Sequence, residues 1–226
     1  MTFLTGKKKK KNIEVDSTNS NYIQKDGVLF DKSGKKIVYY PIGRTNERYE
    51  IDSNVTEISS KAFANSKITQ IDLPSNLVEI GDSAFYNCSN LENITIPKNV
   101  TQIGSYAFYN CSNLESITIP KSVTKIGSYA FYNCESMNEL IFEENSKIEQ
   151  IGNEAFSNCS NIEEVNIPEG PTSIDGFSGE IELRIINIPS TVSNIPAYSF
   201  NSIYTRSQII TINNENPTIF QRLGIF

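Results

Sequence analysis

The chain has 226 residues, no histidine, no tryptophan and a formal net charge of −6. Without histidine, the Ser-His-Asp and Cys-His catalytic arrangements and histidine metal sites are excluded. Outside the five lysines at 7–11, 15 basic residues face 26 acidic ones, which argues against a nucleic-acid partner; no run of 18 apolar residues would span a membrane.

In chain order, the start places its charges after the short apolar pair Phe3-Leu4, the reverse of a secretory signal. Either the protein is not secreted by that route, or this chain is part of a longer one. The lysine run reads as a solvated leader, with contact to an anionic partner as the second reading. Ile13-Glu14-Val15 is expected to be a strand. Val28-Leu29-Phe30 and Ile37-Val38-Tyr39-Tyr40 flank a polar loop containing Gly34, which predicts a β-hairpin. Residues 1–50 therefore read as a capping strand and hairpin inserted before a second strand, Tyr49-Glu50-Ile51.

From residue 51 the chain repeats itself. Phe63, Phe85, Phe108, Phe131, Phe156, Phe177 and Phe200 recur at spacings of 22, 23, 23, 25, 21 and 23, the mark of a solenoid. In each unit two apolar residues flank an outward one, as in Ile117-Thr118-Ile119, the period of a strand with one buried face. The matching pairs run from Ile71/Leu73 through Ile94/Ile96, Leu140/Phe142, Val165/Ile167 and Ile186/Ile188 to Ile210/Ile212. Together with residues 13–15 and 49–51 they predict a nine-stranded parallel ladder. The return segment, Ser105 to Cys111, is too short for an independent helix and is expected to make one helical turn. Gly81, Gly104, Gly127 and Gly152 precede it and suggest a tight corner. About eight core residues per unit, each worth roughly 1.5–3 kcal/mol on burial, can be covered only by neighbouring coils. Repeats are assigned to 51–212 and a C-terminal cap to 213–226.

Two columns invite a chemical reading and receive a structural one. Cys88, Cys111, Cys134 and Cys159 each follow the repeat Phe by three residues; a buried thiol column fits better than disulfides, metal or a nucleophile. Asn65, Asn87, Asn110, Asn133 and Asn158 follow it by two and are expected to satisfy the backbone of a corner. The outward ladder positions vary more. Asp72, Thr95, Thr118, Ile141, Asn166, Asn187 and Thr211 form the central column, with Glu139 and Glu164 in the flanking one. Asp72, Thr95, Thr118, Glu139, Ile141, Glu164 and Asn166 are the candidate ligand-binding residues, and Ile141 stands out as apolar among polar neighbours. A second candidate surface is the tyrosine stripe formed by Tyr86, Tyr106, Tyr109, Tyr129 and Tyr132. No catalytic, metal or cofactor-binding residue is identified.

The unit Ile-Gly-Ser-Tyr-Ala-Phe-Tyr-Asn-Cys-Ser-Asn-Leu-Glu-Ser-Ile-Thr-Ile-Pro from Ile103 resembles the BspA-type, or Treponema pallidum-type, leucine-rich repeats. The resemblance covers roughly residues 51–212, and Asp26-Gly27-Val28-Leu29-Phe30 resembles the insertion that often opens such arrays. The N-terminal piece extends through Asp31-Lys32, with Tyr39-Tyr40-Pro41 after it. The resemblance implies an α/β, right-handed leucine-rich-repeat solenoid, with a parallel sheet on the concave side and short helical turns on the convex side. It also implies a non-enzymatic protein, extracellular or on the cell surface, linked to adhesion. The expected partner is a protein or glycan, such as a host matrix protein, engaged by a monomer without cofactors. The alternative is a spacer segment of a longer surface protein.

Overall fold

The structure, a computed structural model, describes residues 11–178, 182–196, 199 and 211–213. Residues 7–10, Phe200, Ile210 and all but the first residue of the expected C-terminal cap lie outside them. The chain is a β-solenoid of about six turns. One apolar core runs from Val28 to Ile195.

The N-terminal residues build a small antiparallel sheet. Asp26 and Gly27 have φ of 48° and 75°, the two-residue turn whose twist matches that of paired strands. It joins β1 (Tyr22–Lys25) to β2 (Val28–Asp31). β2 pairs antiparallel with β3 (Lys36–Tyr39), so the expected hairpin is present, with β1 as an added strand. Residues 13–15 do not join the ladder. Ile13 N donates to Gly27 O at 2.9 Å instead, which lays this segment over the turn. Nor is β3 part of an insertion. Ile37 pairs in parallel with Ile58, and the Tyr40 ring stacks on Phe63 at 5.0 Å. Ile37 and Tyr40 thus begin the first coil, with tyrosine in the place of the repeat phenylalanine.

The described coils stack through three backbone ladders. The first is the expected one, and among the described residues it has eight strands, from Arg48–Glu50 to Thr211–Asn213. They fall into hydrogen-bonded groups of three, two and three strands. At the last coil Ile186 pairs with Ile212, Ile185 with Thr211 and Asn187 with Asn213. Ile212, not the expected Ile210, is therefore the counterpart of Ile186. The second ladder was not expected. It consists of two-residue strands, Glu57–Ile58, Glu79–Ile80, Gln102–Ile103, Lys125–Ile126 and Gln150–Ile151, stacked in parallel and continued by β3, β2 and β1. The N-terminal sheet thereby closes an edge that would otherwise expose unpaired backbone groups.

The third ladder replaces the expected helical turns, since none of the described residues is helical. From Gly104 to Cys111 the amides of Ala107, Tyr109 and Cys111 donate back three residues. The alternate amides, of Tyr106, Phe108 and Asn110, donate to Ser128, Ala130 and Tyr132 of the next coil, at 2.9, 2.6 and 2.8 Å. Tyr106 and Asn110 take φ of 58° to aim those groups along the axis. A helix would turn every amide inward to its own coil. Here half of them bind the neighbour, so the turns form only in the stack.

The phenylalanines fill the centre. Phe85, Phe108 and Phe131 are fully buried and stack at 5.0 Å with interplanar angles of 9° and 6°. The cysteines line the same core and form no disulfide. Cys88, Cys111, Cys134 and Cys159 each donate through Sγ to the carbonyl of Phe63, Phe85, Phe108 and Phe131, at 3.1–3.3 Å. The repeat glycines serve close approach, not a left-handed corner. A Cβ on Gly127 would lie 2.3 Å from Ser105 N and 2.6 Å from Gly104 C, both backbone atoms of the preceding coil. Gly127→Ala is expected to destabilise the protein by about 1–3 kcal/mol, as overpacking does. An unchanged denaturant midpoint would show that the coils can separate freely there.

Candidate functional site

The alternation of each ladder strand sends one side chain inward and the next outward. The structure places all seven candidate residues on the outward side of this ladder. Thr118 pairs with Ile141, and Ser116 with Glu139, in adjacent strands. Successive residues of the column lie one coil apart, about 5 Å, so Asp72 and Asn166 are about 20 Å from each other. The candidates form a strip, not a compact site. Thr211 does not extend the central column: its register places it with Ile185, and Asn213 with Asn187.

The strip changes character along its length. At its N-terminal end, Arg48 grips Asp72 through two bonds, Nε–Oδ2 at 2.6 Å and Nη2–Oδ1 at 2.9 Å. The hydrogen bond from Arg48 holds the Asp72 carboxyl below its usual range. A shallow cavity of about 510 Å³ opens there, lined by Arg48, Gln70, Asp72, Asn93, Thr95 and Asn99 among others. In the middle Thr118 is exposed, and Ile141 keeps 41% of its surface in water. Glu139 on the same strand and Glu164 on the next are exposed. Asn166 Nδ2 donates to Glu164 Oε1 at 3.2 Å, and Asn187 Nδ2 donates to Asn166 Oδ1. Glu143 is engaged with the preceding coil, where its Oε2 accepts from Lys121 N at 3.1 Å.

The turn ladder carries the second surface. Asn87, Asn110 and Asn133 each donate Nδ2 to Oδ1 of the preceding asparagine, at 2.9, 2.6 and 2.7 Å. The column is structural, as expected, but its amides bond to each other rather than to the backbone of the corner. Asparagine also tolerates the left-handed conformation required at these positions. Beside this run the tyrosines form two stacks. Tyr86, Tyr109 and Tyr132 stack at 5.0 Å, and Tyr106 on Tyr129 at the same distance. The stacks also touch each other, at 5.7 Å between Tyr106 and Tyr109. Burial first, then the neighbouring phenols, raises the Tyr109 hydroxyl above its ordinary pKa.

Comparison with known proteins identifies the fold. The profile described as BspA type Leucine rich repeat region matches residues 44–150 and 136–223, in six copies. Among solved structures, a leucine-rich repeat protein from Bacteroides ovatus is similar with a TM-score of 0.61 at 20% identity, over 94% of this chain and 67% of that one. The pneumococcal vaccine antigen PcpA is similar with a TM-score of 0.58 at 21% identity, over 91% of this chain. The chain spans 50% of that antigen's length. A leucine-rich repeat protein from Bacteroides capillosus is similar with a TM-score of 0.50 at 25% identity, over 55% of this chain and 99% of that one. No curated protein sequence matches.

Proposed function

The chain belongs to the BspA-type leucine-rich-repeat family, and from that premise we propose that it is a non-catalytic binding module, on a cell surface or secreted, that engages a protein or glycan through its ladder face. Repeat solenoids generally act as interaction scaffolds, and their extended sheets offer broad binding surfaces. In this reading the ladder lies on the concave side and the turns on the convex side. The segment before Lys36 caps the array, and the coils run on from Ile37. The module acts as a monomer and needs no cofactor.

One observation carries the proposal. Inward ladder positions are apolar in coil after coil, while outward ones differ, with a half-exposed isoleucine among polar side chains. Packing explains the first set and leaves the second free to specify a partner. Ile141 is the expected anchor, because an apolar side chain desolvated at the centre of an interface carries a large share of its energy. Thr118, Glu139, Glu164 and Asn166 surround it, and Asp72 and Thr95 extend the strip.

The test screens the purified chain against immobilised matrix proteins and a glycan array, then repeats each hit with Ile141→Arg and Glu164→Ala/Asn166→Ala. Binding is expected to weaken about tenfold, with thermal stability unchanged because these side chains lie outside the core. Interactions that survive both variants at full strength would sink the ladder-face reading. A structural spacer is the second reading, favoured by the single uninterrupted core. It predicts that no probe binds.

A further inference from the structure

We propose that the N-terminal end of the two tyrosine stacks is a binding subsite for an acidic sugar, a pyranose ring carrying a carboxylate. The proposal rests on the reading of the chain as a binding module but uses the turn face, not the ladder face. It starts from where the stacks stop. One coil before Tyr86 the equivalent residue is Ala64, and one coil before Tyr106 it is Ser83. Each stack therefore ends in a ring with no aromatic neighbour on its outer side. Tyr86 and Tyr106 are 37% and 39% exposed. The missing rings leave a cavity of about 400 Å³, lined by Lys61, Ala64, Asn65, Ser83, Tyr86 and Tyr106. That volume lies within the range of about 300–1,000 Å³ usual for small-ligand sites.

The polar groups at this end select the ligand. The asparagine ladder also terminates here. Asn65 Oδ1 accepts from Asn87 Nδ2, while Ile42 stands at the equivalent position one coil earlier and offers Asn65 Nδ2 no acceptor. Lys61 makes no ion pair among the described residues. The nearby Asp82 carboxylate is already engaged, accepting from Ser105 N at 2.7 Å. The opposite end of the stacks differs in sign: Glu154 occupies the position of Tyr106 and Tyr129 there and accepts from the Tyr129 hydroxyl at 3.2 Å. The vacant position thus combines two open aromatic faces, an amide donor and a cation. A sugar ring presents an apolar C–H face to stack on tyrosine and oxygens to accept from the amide. A carboxylate on the ring would pair with the Lys61 ammonium. An aromatic side chain would meet the rings but leave the amide and the ammonium without acceptors.

The experiment measures binding of a glucuronate-containing tetrasaccharide, its carboxyl-reduced form and a tyrosine-rich peptide to the whole chain, by calorimetry and ligand-observed NMR. The acidic sugar is expected to bind at least about tenfold more tightly than the other two. Tyr86→Ala should weaken it by about the same factor. Lys61→Gln should bring its affinity down to that of the reduced form. Ala64→Tyr is the decisive variant, because it extends the stack by one ring using the repeat's own residue, so the chain should fold normally while binding is lost. Full binding by Ala64→Tyr, equal affinity for the acidic and reduced sugars, or preference for the peptide would each overturn the proposal. Ile141→Arg should leave this binding unchanged, so the subsite and the ladder face can fail independently.

Discussion

Replacing Phe108 by alanine is expected to destabilise the protein by about 3–5 kcal/mol, as for other buried phenylalanines. The ring is fully buried between Phe85 and Phe131, with centroids 5.0 Å away on each side. Its removal leaves both neighbours with an uncovered face. The space cannot close easily, because Phe108 N donates to Ala130 O at 2.6 Å and Phe85 N to Ala107 O at 2.7 Å, and these bonds fix the coil spacing. Stability in a solenoid is largely a sum over neighbouring interfaces. Such a defect in the middle of the array should therefore also broaden the denaturant transition or split it in two. A loss below about 1 kcal/mol in equilibrium unfolding would mean that the phenylalanine stack is not the main support of the coils.

The second large effect is alkaline destabilisation from the thiol column. Burial pushes the Cys88 thiol from 9.0 up to about 11. Burial also raises Cys111 and Cys134 well above 9.0. A thiol whose folded pKa is raised keeps its proton in the native state while the unfolded chain has already lost it. The native state binds more protons in this window, so stability must fall as pH rises. The contribution is complete below pH 9.0 and for Cys88 is lost up to about pH 11. Each thiol adds a slope of about 1.4 kcal/mol per pH unit, or about 4 for the three together. Unfolding curves from pH 7 to 11 should show this steep decline, and Cys88→Ala/Cys111→Ala/Cys134→Ala should flatten it. Lysine and tyrosine ionisation is common to both proteins and drops out of the difference. Parallel pH dependences would show that these thiols ionise without unfolding.

Several features of the candidate surfaces are legible in the residues alone, and the others depend on partners distant in the chain. Ile141 was visible because an apolar residue broke a polar column, and it is indeed exposed. The pairing of Asp72 with Arg48 depends on two strands 24 positions apart and had no local signal. Asp26-Gly27 carried a clear turn signature for β1, which the more conspicuous loop around Gly34 obscured. The first coil is hard to see in the sequence because Tyr40 stands where later coils have phenylalanine, although it precedes Phe63 by the ordinary 23 residues. The subsite at Tyr86 and Tyr106 is encoded by an absence, the alanine and serine one coil earlier. That absence matters only once stacking at 5.0 Å is known.

The sequence by itself determined the period, the inward residues and the membership of the family. A side chain recurring at one offset in coil after coil must meet its own copies, and apolar copies can meet only in a core. The tertiary structure decided how the backbone travels between those points. Whether Ser105 to Cys111 coil into a helical turn or open into stacked turns depends on acceptors in the next coil, at Ser128, Ala130 and Tyr132. No local propensity contains that partner. The same holds for Gly127, whose need for a missing side chain comes from the backbone of Gly104 and Ser105 pressing against it.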